Sequence, residues 1–420
     1  MSTWHDLVTA SLIGTERAVV PAAAIPGLPH TEDDAGDPAA VLLDRAALLT
    51  AARRAGRRPD RAEPLPVCES DPRPAVSPVA GRRLARMLSG EYPDMLTEWL
   101  TAVSARGLRP PPQSLPALLD RARRAGSADS GLARLVAEAG GPRAEWLAKL
   151  NPDWEFVAAP VLAGEDAWRL GDTAQRRRYL TSLLARDPGA ARDLIRGGWA
   201  AAGPEERVMF LSVLVSRLSP ADEPLLEAAL HDRAGNVRSR ASNLLASLPG
   251  SALGQRMAER ALRCVRIECS ARGQRLLVTP PTAGGSQPER ARLMLEVLAR
   301  TPLRTWTDGF GLTAEQVLAA PSGDWSSVLF TGWARAAIAQ RDQAWMAALI
   351  AQALIGRPPR TASETEALLQ LARRADPGLG APDALPEPGP DTPSAVGAAL
   401  SVLRFRYEML EELGHDDSGE

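Results

Sequence analysis

The sequence predicts an all-α protein, an α-solenoid of stacked helical hairpins with further helical regions on either side. Three observations carry that prediction. Candidate helix starts recur at Gly171-Asp172, Asp187-Pro188, Gly203-Pro204, Ser219-Pro220, Gly235-Asn236 and Ser251-Ala252, a step of 16 residues each time. Val237, Ala241, Leu244, Leu245 and Leu248 fall on one helical stripe. The stretch 204–218, PEERVMFLSVLVSRL, is apolar nearly all round between Val208 and Val215, which marks an inner helix.

The bulk numbers bound the function classes. A chain of 420 residues is long for one compact core, so an elongated repeat array or two to three domains is expected. A hydrophobic share of 45% excludes global disorder. A formal net charge of −2 gives no general attraction to nucleic acid or anionic lipid. Among 49 basic residues only Lys149 is a lysine, and arginines of this kind mostly decorate helix surfaces. Cys68, Cys264 and Cys269 cannot form a disulfide framework, which fits a reducing compartment. The N-terminus MSTWHDLVTASLIGTER lacks a basic leader region, and no window approaches a membrane span. A cytoplasmic protein is expected.

Residues 1–58 read as N-terminal helices and a loop. A short helix covers 3–13, with Thr3 as N-cap and Trp4, Leu7, Val8 and Leu12 on one side. Pro21, Pro26, Gly27 and Pro29 mark a loop, and a second helix covers 39–55, stopped by Gly56 and Pro59. The proline-rich stretch 59–78 is an extended connection. A middle helical region, 79–170, holds helices near 79–89, 92–106, 114–125, 130–140 and 142–149. The segment WLAKLNPDW at 146–154 sets two tryptophans around an Asn-Pro turn, as core anchors.

The block 171–265 is the regular part. Asp, Ser or Gly at the N-cap followed by Pro at the first helical position satisfies an orphan amide while omitting one that had no partner. A 16-residue step leaves about 12 residues of helix, a rod of roughly 18 Å. Two steps make one hairpin, and such units must stack to bury both faces. Residues 225–248, LLEAALHDRAGNVRSRASNLLASL, read as two helices joined at His231-Asp232-Arg233. The order of apolar helix, Asp in the turn, Val-Arg, then Ala and Leu on one face resembles a HEAT-type repeat. That resemblance implies that Asp232 and Arg238 form hydrogen-bond ladders between adjacent units. Asp232, Asn236, Arg238 and Arg240 are therefore the candidate ladder or partner-facing residues.

Beyond Val265 the period changes. Val265, Ile267 and Cys269 alternate with Arg266 and Glu268, so 265–279 is a small β-hairpin inserted at 266–286, or a broken helix. A C-terminal helical region, 287–375, holds helices near 287–300, 313–319, 324–340, 342–355 and 361–375, with Trp325, Trp333 and Trp345 in one repeat-like pair. A linker, 376–394, leads to a terminal helix and acidic tail, 395–420.

The sequence carries none of the common catalytic or cofactor signatures. The sole lysine follows no glycine-rich loop, Gly309-Phe310-Gly311 lacks a third glycine, and His5, His30, His231 and His415 form no HExxH. Cys264 and Cys269 are too far apart for a zinc knuckle. The site expectation is therefore no catalytic residue, no cofactor and no metal. Four basic clusters, Arg53-Arg54-Arg57-Arg58-Arg61, Arg82-Arg83-Arg86, Arg121-Arg123-Arg124 and Arg176-Arg177-Arg178, would matter for nucleic acid only if they converged, and no aromatics interleave them for base stacking.

Three signatures taken together, LIGTER at 12–17, WLAKLNPDW at 146–154 and DEPLLEAALHDRAGNVRSRASNLLASLP at 222–249, resemble an uncharacterised bacterial family, domain of unknown function 5691. The resemblance implies genes encoded near a SWIM zinc-finger protein, a MoxR-type AAA ATPase and a von Willebrand A-domain protein, hence an accessory role. The expected function is a non-catalytic helical-repeat scaffold or adaptor that binds another protein. The alternative is a HEAT-like nucleic-acid-binding or base-excision protein.

Overall fold

The structure is a computed structural model that describes residues 2–20, 37–56, 65–126, 130–157, 165–270, 273–281, 285–384 and 392–414. These residues are mostly helical, with one two-stranded antiparallel sheet. The all-α class read from the sequence is therefore the observed one. Contacts divide the chain into two units, Met1–Val67 and Cys68–Glu420.

In the first unit α1 (Ser2–Ile13) packs on α2 (Pro38–Gly56). The helix begins at Ser2, so Thr3 lies inside its first turn rather than capping it. Arg53 sits 5.2 Å above the Trp4 ring, a cation–π contact. The loop beginning at Pro21 and the arginines at 57, 58 and 61 fall outside the described residues.

The second unit opens with α3 (Pro78–Leu88), α4 (Leu96–Ala105), α5 (Leu115–Ala125) and α6 (Ser130–Leu150). Ser77 starts α3 by accepting the Ala80 amide at 3.2 Å. The two helices expected over 130–140 and 142–149 form one element broken at Gly141, whose φ of +50° precedes Pro142. Trp146 and Trp154 are half-buried, and the Trp154 indole donates to Asp120 Oδ1 at 3.0 Å.

The regular block follows as α7 (Glu165–Arg169), α8 (Thr173–Arg186), α9 (Pro188–Trp199), α10 (Pro204–Leu214), α11 (Glu223–Ala229), α12 (Gly235–Ala246) and α13 (Ala252–Cys264). Their starts match the 16-residue series closely. Asp172, Asp187 and Ser251 accept the amides of Gln175, Ala190 and Gly254 at 2.8, 3.0 and 3.1 Å. The step beginning at Ser219 enters through a 3-10 turn, Pro220–Asp222, before α11. Helix α10 packs against both α8 and α12 and buries Met209, Phe210, Leu211, Val213 and Leu214, the inner helix that its all-round apolarity required.

The chain then forms β1 (Val265–Ser270) and β2 (Gly273–Val278), paired from Val265↔Val278 to Ser270↔Gly273. Of the two readings left open by the sequence, the hairpin is the one observed. Helices α14 (Gln287–Arg300), α15 (Arg304–Phe310), α16 (Ala314–Ala319), α17 (Ser326–Gln340), α18 (Gln343–Ala351), α19 (Ala362–Ala372) and α20 (Ser394–Gly414) complete the unit. Helix α15 had no sequence signal because Leu303 stands at its N-cap without a capping side chain. Gly311, at φ +65°, closes α15, so Gly309-Phe310-Gly311 is a helix ending rather than a phosphate loop.

Among the described residues of the second unit, three apolar clusters form. One spans residues 76–144 with Phe405, Met409 and Leu413, a second spans 180–257, and a third spans 261–403. Helix α12 packs on α14 and α17, joining the second cluster to the third. Helix α20 gives Val396, Leu400 and Leu403 to the third and its later residues to the first. The start of the expected linker is packed too: a 3-10 turn, Pro377–Gly380, lies against α20 so closely that a Cβ on Gly380 would stand 2.1 Å from the Leu403 carbonyl oxygen. Residues 385–391 and the acidic tail lie outside the described residues.

Candidate functional site

The four candidate residues around 232–240 have different fates. Asp232 accepts the Ala234 amide at 2.8 Å and Arg207 Nη1, from α10, at 2.8 Å, with its side chain 3% exposed. The Ala234 amide and the Arg207 guanidinium hold its carboxyl below the usual range, against the opposing effect of burial. It is a rung between helices as well as the brace of its own turn. Arg238 instead donates to the carbonyls of Asp232 and Arg233 at 2.9 and 2.8 Å, within that turn. Asn236 is exposed, its Oδ1 2.9 Å from the Val237 amide. Arg240 is half-buried, its Nε finds no acceptor among the described residues, and burial lowers its guanidinium pKa.

Asp232 belongs to a set of rungs whose other members sequence reading missed. Arg176 of α8 reaches Glu206 of α10 at 2.6 Å, and Arg192 of α9 reaches buried Asp222 at 3.3 Å. Arg256 of α13 pairs with Glu227 of α11 at 2.9 Å. The partners stand 25 to 30 residues apart, close to two of the 16-residue steps. That offset was available in the sequence, but only as one among many Arg and acid spacings.

These rungs leave a different surface for recognition. Where α17 packs on α19, a groove of about 500 Å³ is floored by Ile338, Ala339, Ala362 and Ala367. Thr331, only 3% exposed, lines it with a hydroxyl that has no partner among the described residues. Gln370 and Arg374 also line a second recess of about 870 Å³, built by residues of α4, α5, α19 and α20. Five arginines (121, 335, 373, 374 and 406) meet three carboxylates (Asp94, Glu98 and Glu366) along the two. Arg373 pairs with Asp94 at 3.1 Å and Arg406 with Glu98 at 2.8 Å. Arg121, Arg335 and Arg374 have no carboxylate within ion-pair distance among the described residues. A surface with an apolar floor and surplus arginines suits an acidic, amphipathic segment.

The remaining sequence candidates do not assemble a site. Arg86 is paired with Glu91, Arg123 lies 3.8 Å from Asp153 and Arg124 lies 3.9 Å from Asp120. All three cysteines are free thiols, and burial pushes the Cys264 thiol up. Among the described residues no group of three His, Cys, Asp or Glu side chains could hold a metal ion, and no helix is long and apolar enough to cross a membrane. Residues 6–377 match the model of a family described as a family of unknown function, DUF5691. No curated protein and no solved structure matches the chain.

Proposed function

Because the chain belongs to the family of unknown function DUF5691, we propose its role from its surface: a non-catalytic, HEAT-like helical scaffold or adaptor that binds another protein in the cytoplasm. The observation that carries this reading is the arginine-rimmed apolar groove between α17 and α19 and its continuation past Arg374. The occupant is an acidic, amphipathic segment of the partner. Its apolar side chains would cover Ile338 and Ala339, and its carboxylates would meet Arg335 and Arg374. Short charge-assisted bonds to such arginines set orientation, while the apolar floor supplies burial. The gene neighbourhood that the resemblance implies makes a MoxR-type AAA ATPase, a von Willebrand A-domain protein or a SWIM zinc-finger protein the first candidate partners.

Affinity capture from native cells with the full chain and with an Arg335→Glu/Arg374→Glu variant tests the proposal. A protein held by the wild type and lost by the variant is expected. Equal recovery on both chains would remove the groove, and recovery of nucleic acid in place of protein would favour the base-excision or nucleic-acid alternative.

A further inference from the structure

We infer that the recess beside the groove is a second seat for the partner's acidic side chains, and that Asp94 of the protein's own chain holds that seat as an internal competitor on Arg373. The seat extends the groove proposed above and depends on that reading. Groove and recess share Gln370 and Arg374. Gln370 donates to Glu366 at 2.7 Å and accepts from Arg374, so the exposed Arg374 is held at the junction of the two. Beyond it the recess adds Arg373 and the half-buried Arg121 of α5, beside buried Met95, Leu96 and Leu132. An acidic segment leaving the groove past Arg374 meets these cations next.

Two carboxylates of the chain already lie in the recess, and they are held unequally. Glu98 gives both oxygens to Arg406 at 2.8 Å, and Arg406 also donates to the carbonyls of Ala372 and Ala375. The Arg406 side chain is 5% exposed, so parting that pair would strand a buried charge. Asp94 meets Arg373 at 3.1 Å with the two side chains 59% and 31% exposed. A pair so open to water contributes little, and a carboxylate from outside can replace it at small cost. The turn that presents Asp94 is nevertheless a built one. Pro93–Met95 follows Tyr92, whose φ of +48° is uncommon for a residue with a side chain, and the Tyr92 ring lies 4.4 Å from that of Phe405 in α20. Such strained positions persist only where their surroundings hold them, and they cluster at ligand clamps and switch regions. The carboxylate on Arg373 displays the chemistry that the seat accepts: an Asp or Glu side chain of the partner takes the place of Asp94.

Fluorescence anisotropy of a labelled amphipathic peptide, leucine and glutamate at helical spacing, titrated with the full chain, tests the inference. The peptide binds the wild type, and its leucine–glutamine counterpart, without the charge, does not. Asp94→Asn keeps the side-chain shape and frees Arg373, and it tightens binding by about two- to fivefold, the scale of one exposed pair. In an Arg373→Gln background the same Asp94→Asn change brings no gain, the signature of coupling between the two side chains. The inference is overturned if Asp94→Asn leaves the affinity unchanged. It is equally overturned if the gain persists without Arg373, because the peptide is then repelled by Asp94 in general and not excluded from one seat. Failure of the groove reads differently: the Arg335→Glu/Arg374→Glu variant then binds the peptide as the wild type does. If the wild type binds neither peptide, both readings fall. Because Asp94 is exposed, its replacement leaves folding intact, and an unchanged melting curve verifies that.

Discussion

Asp232 shows how one side chain can look like a site and act as a fastener. Its carboxylate is shared between the Ala234 amide and Arg207, whose Nε also donates to the Trp199 carbonyl at 3.1 Å. The lowered carboxyl pKa means that the folded state favours the ionised form. Its stabilising contribution is then complete above the ordinary Asp range and is lost as pH falls through the lowered value. Asp232→Asn is expected to cost about 1–2 kcal/mol near neutral pH, the scale of a charge-assisted hydrogen bond. In urea unfolding followed by circular dichroism, the gap between variant and wild type should shrink as the pH drops below about 4. A gap independent of pH would mean that shape rather than charge holds the turn.

At the scale of elements, close packing sets the costs. The α12 stripe predicted from spacing is buried from Val237 to Leu245, with Leu244 4% exposed. Leu244→Ala should lower stability by about 2–5 kcal/mol in the same measurement. Helices α14 and α17 approach so closely at Gly332 that an added Cβ would stand 2.5 Å from the Leu298 Cβ. Gly332→Ala should therefore destabilise, by about 1–3 kcal/mol, despite the better helix propensity of alanine. A stabilised variant would show that α17 can shift away from α14 at little cost. The start of α12 shows the limit of capping rules: Gly235 opens the helix as expected, but Ala234 at the N-cap offers no side-chain acceptor, and Asp232, two residues earlier, takes the Ala234 amide instead.

At the scale of the whole second unit, α20 connects segments that are far apart in the chain. Arg406, 4% exposed, binds both oxygens of Glu98 at 2.8 Å and caps α19 through the carbonyls of Ala372 and Ala375 at 2.8 and 2.6 Å. Arg83 pairs with Glu408 and Glu412 and lies 4.6 Å above the Phe405 ring. Arg406→Ala removes one partner of a largely buried pair and should cost about 3–5 kcal/mol in a thermal or urea melt. A loss below about 1 kcal/mol would mean that α20 is held by its apolar side alone. The same helix brings Arg406 to the recess that continues the groove, so α20 contributes to that recess and not to the groove between α17 and α19.

The sequence by itself determined most of the helices, their starts in the regular block and the apolar stripes, because caps, turns and periodicity act over a few residues; it left 265–279 as a hairpin or a broken helix and carried no signal for α7 and α15. It also placed Asp232 in a turn with a polar task. Only the tertiary structure decided which Arg met which carboxylate, how α20 closes onto α3, α4 and α19, and where arginines without a carboxylate partner gather beside an apolar floor, Arg374 being held there by the Gln370 side chain. Those outcomes depend on pairings between residues up to 329 positions apart. Local propensity carries no record of them, because a charged side chain looks the same in sequence whether it ends in a buried pair or at the rim of a groove.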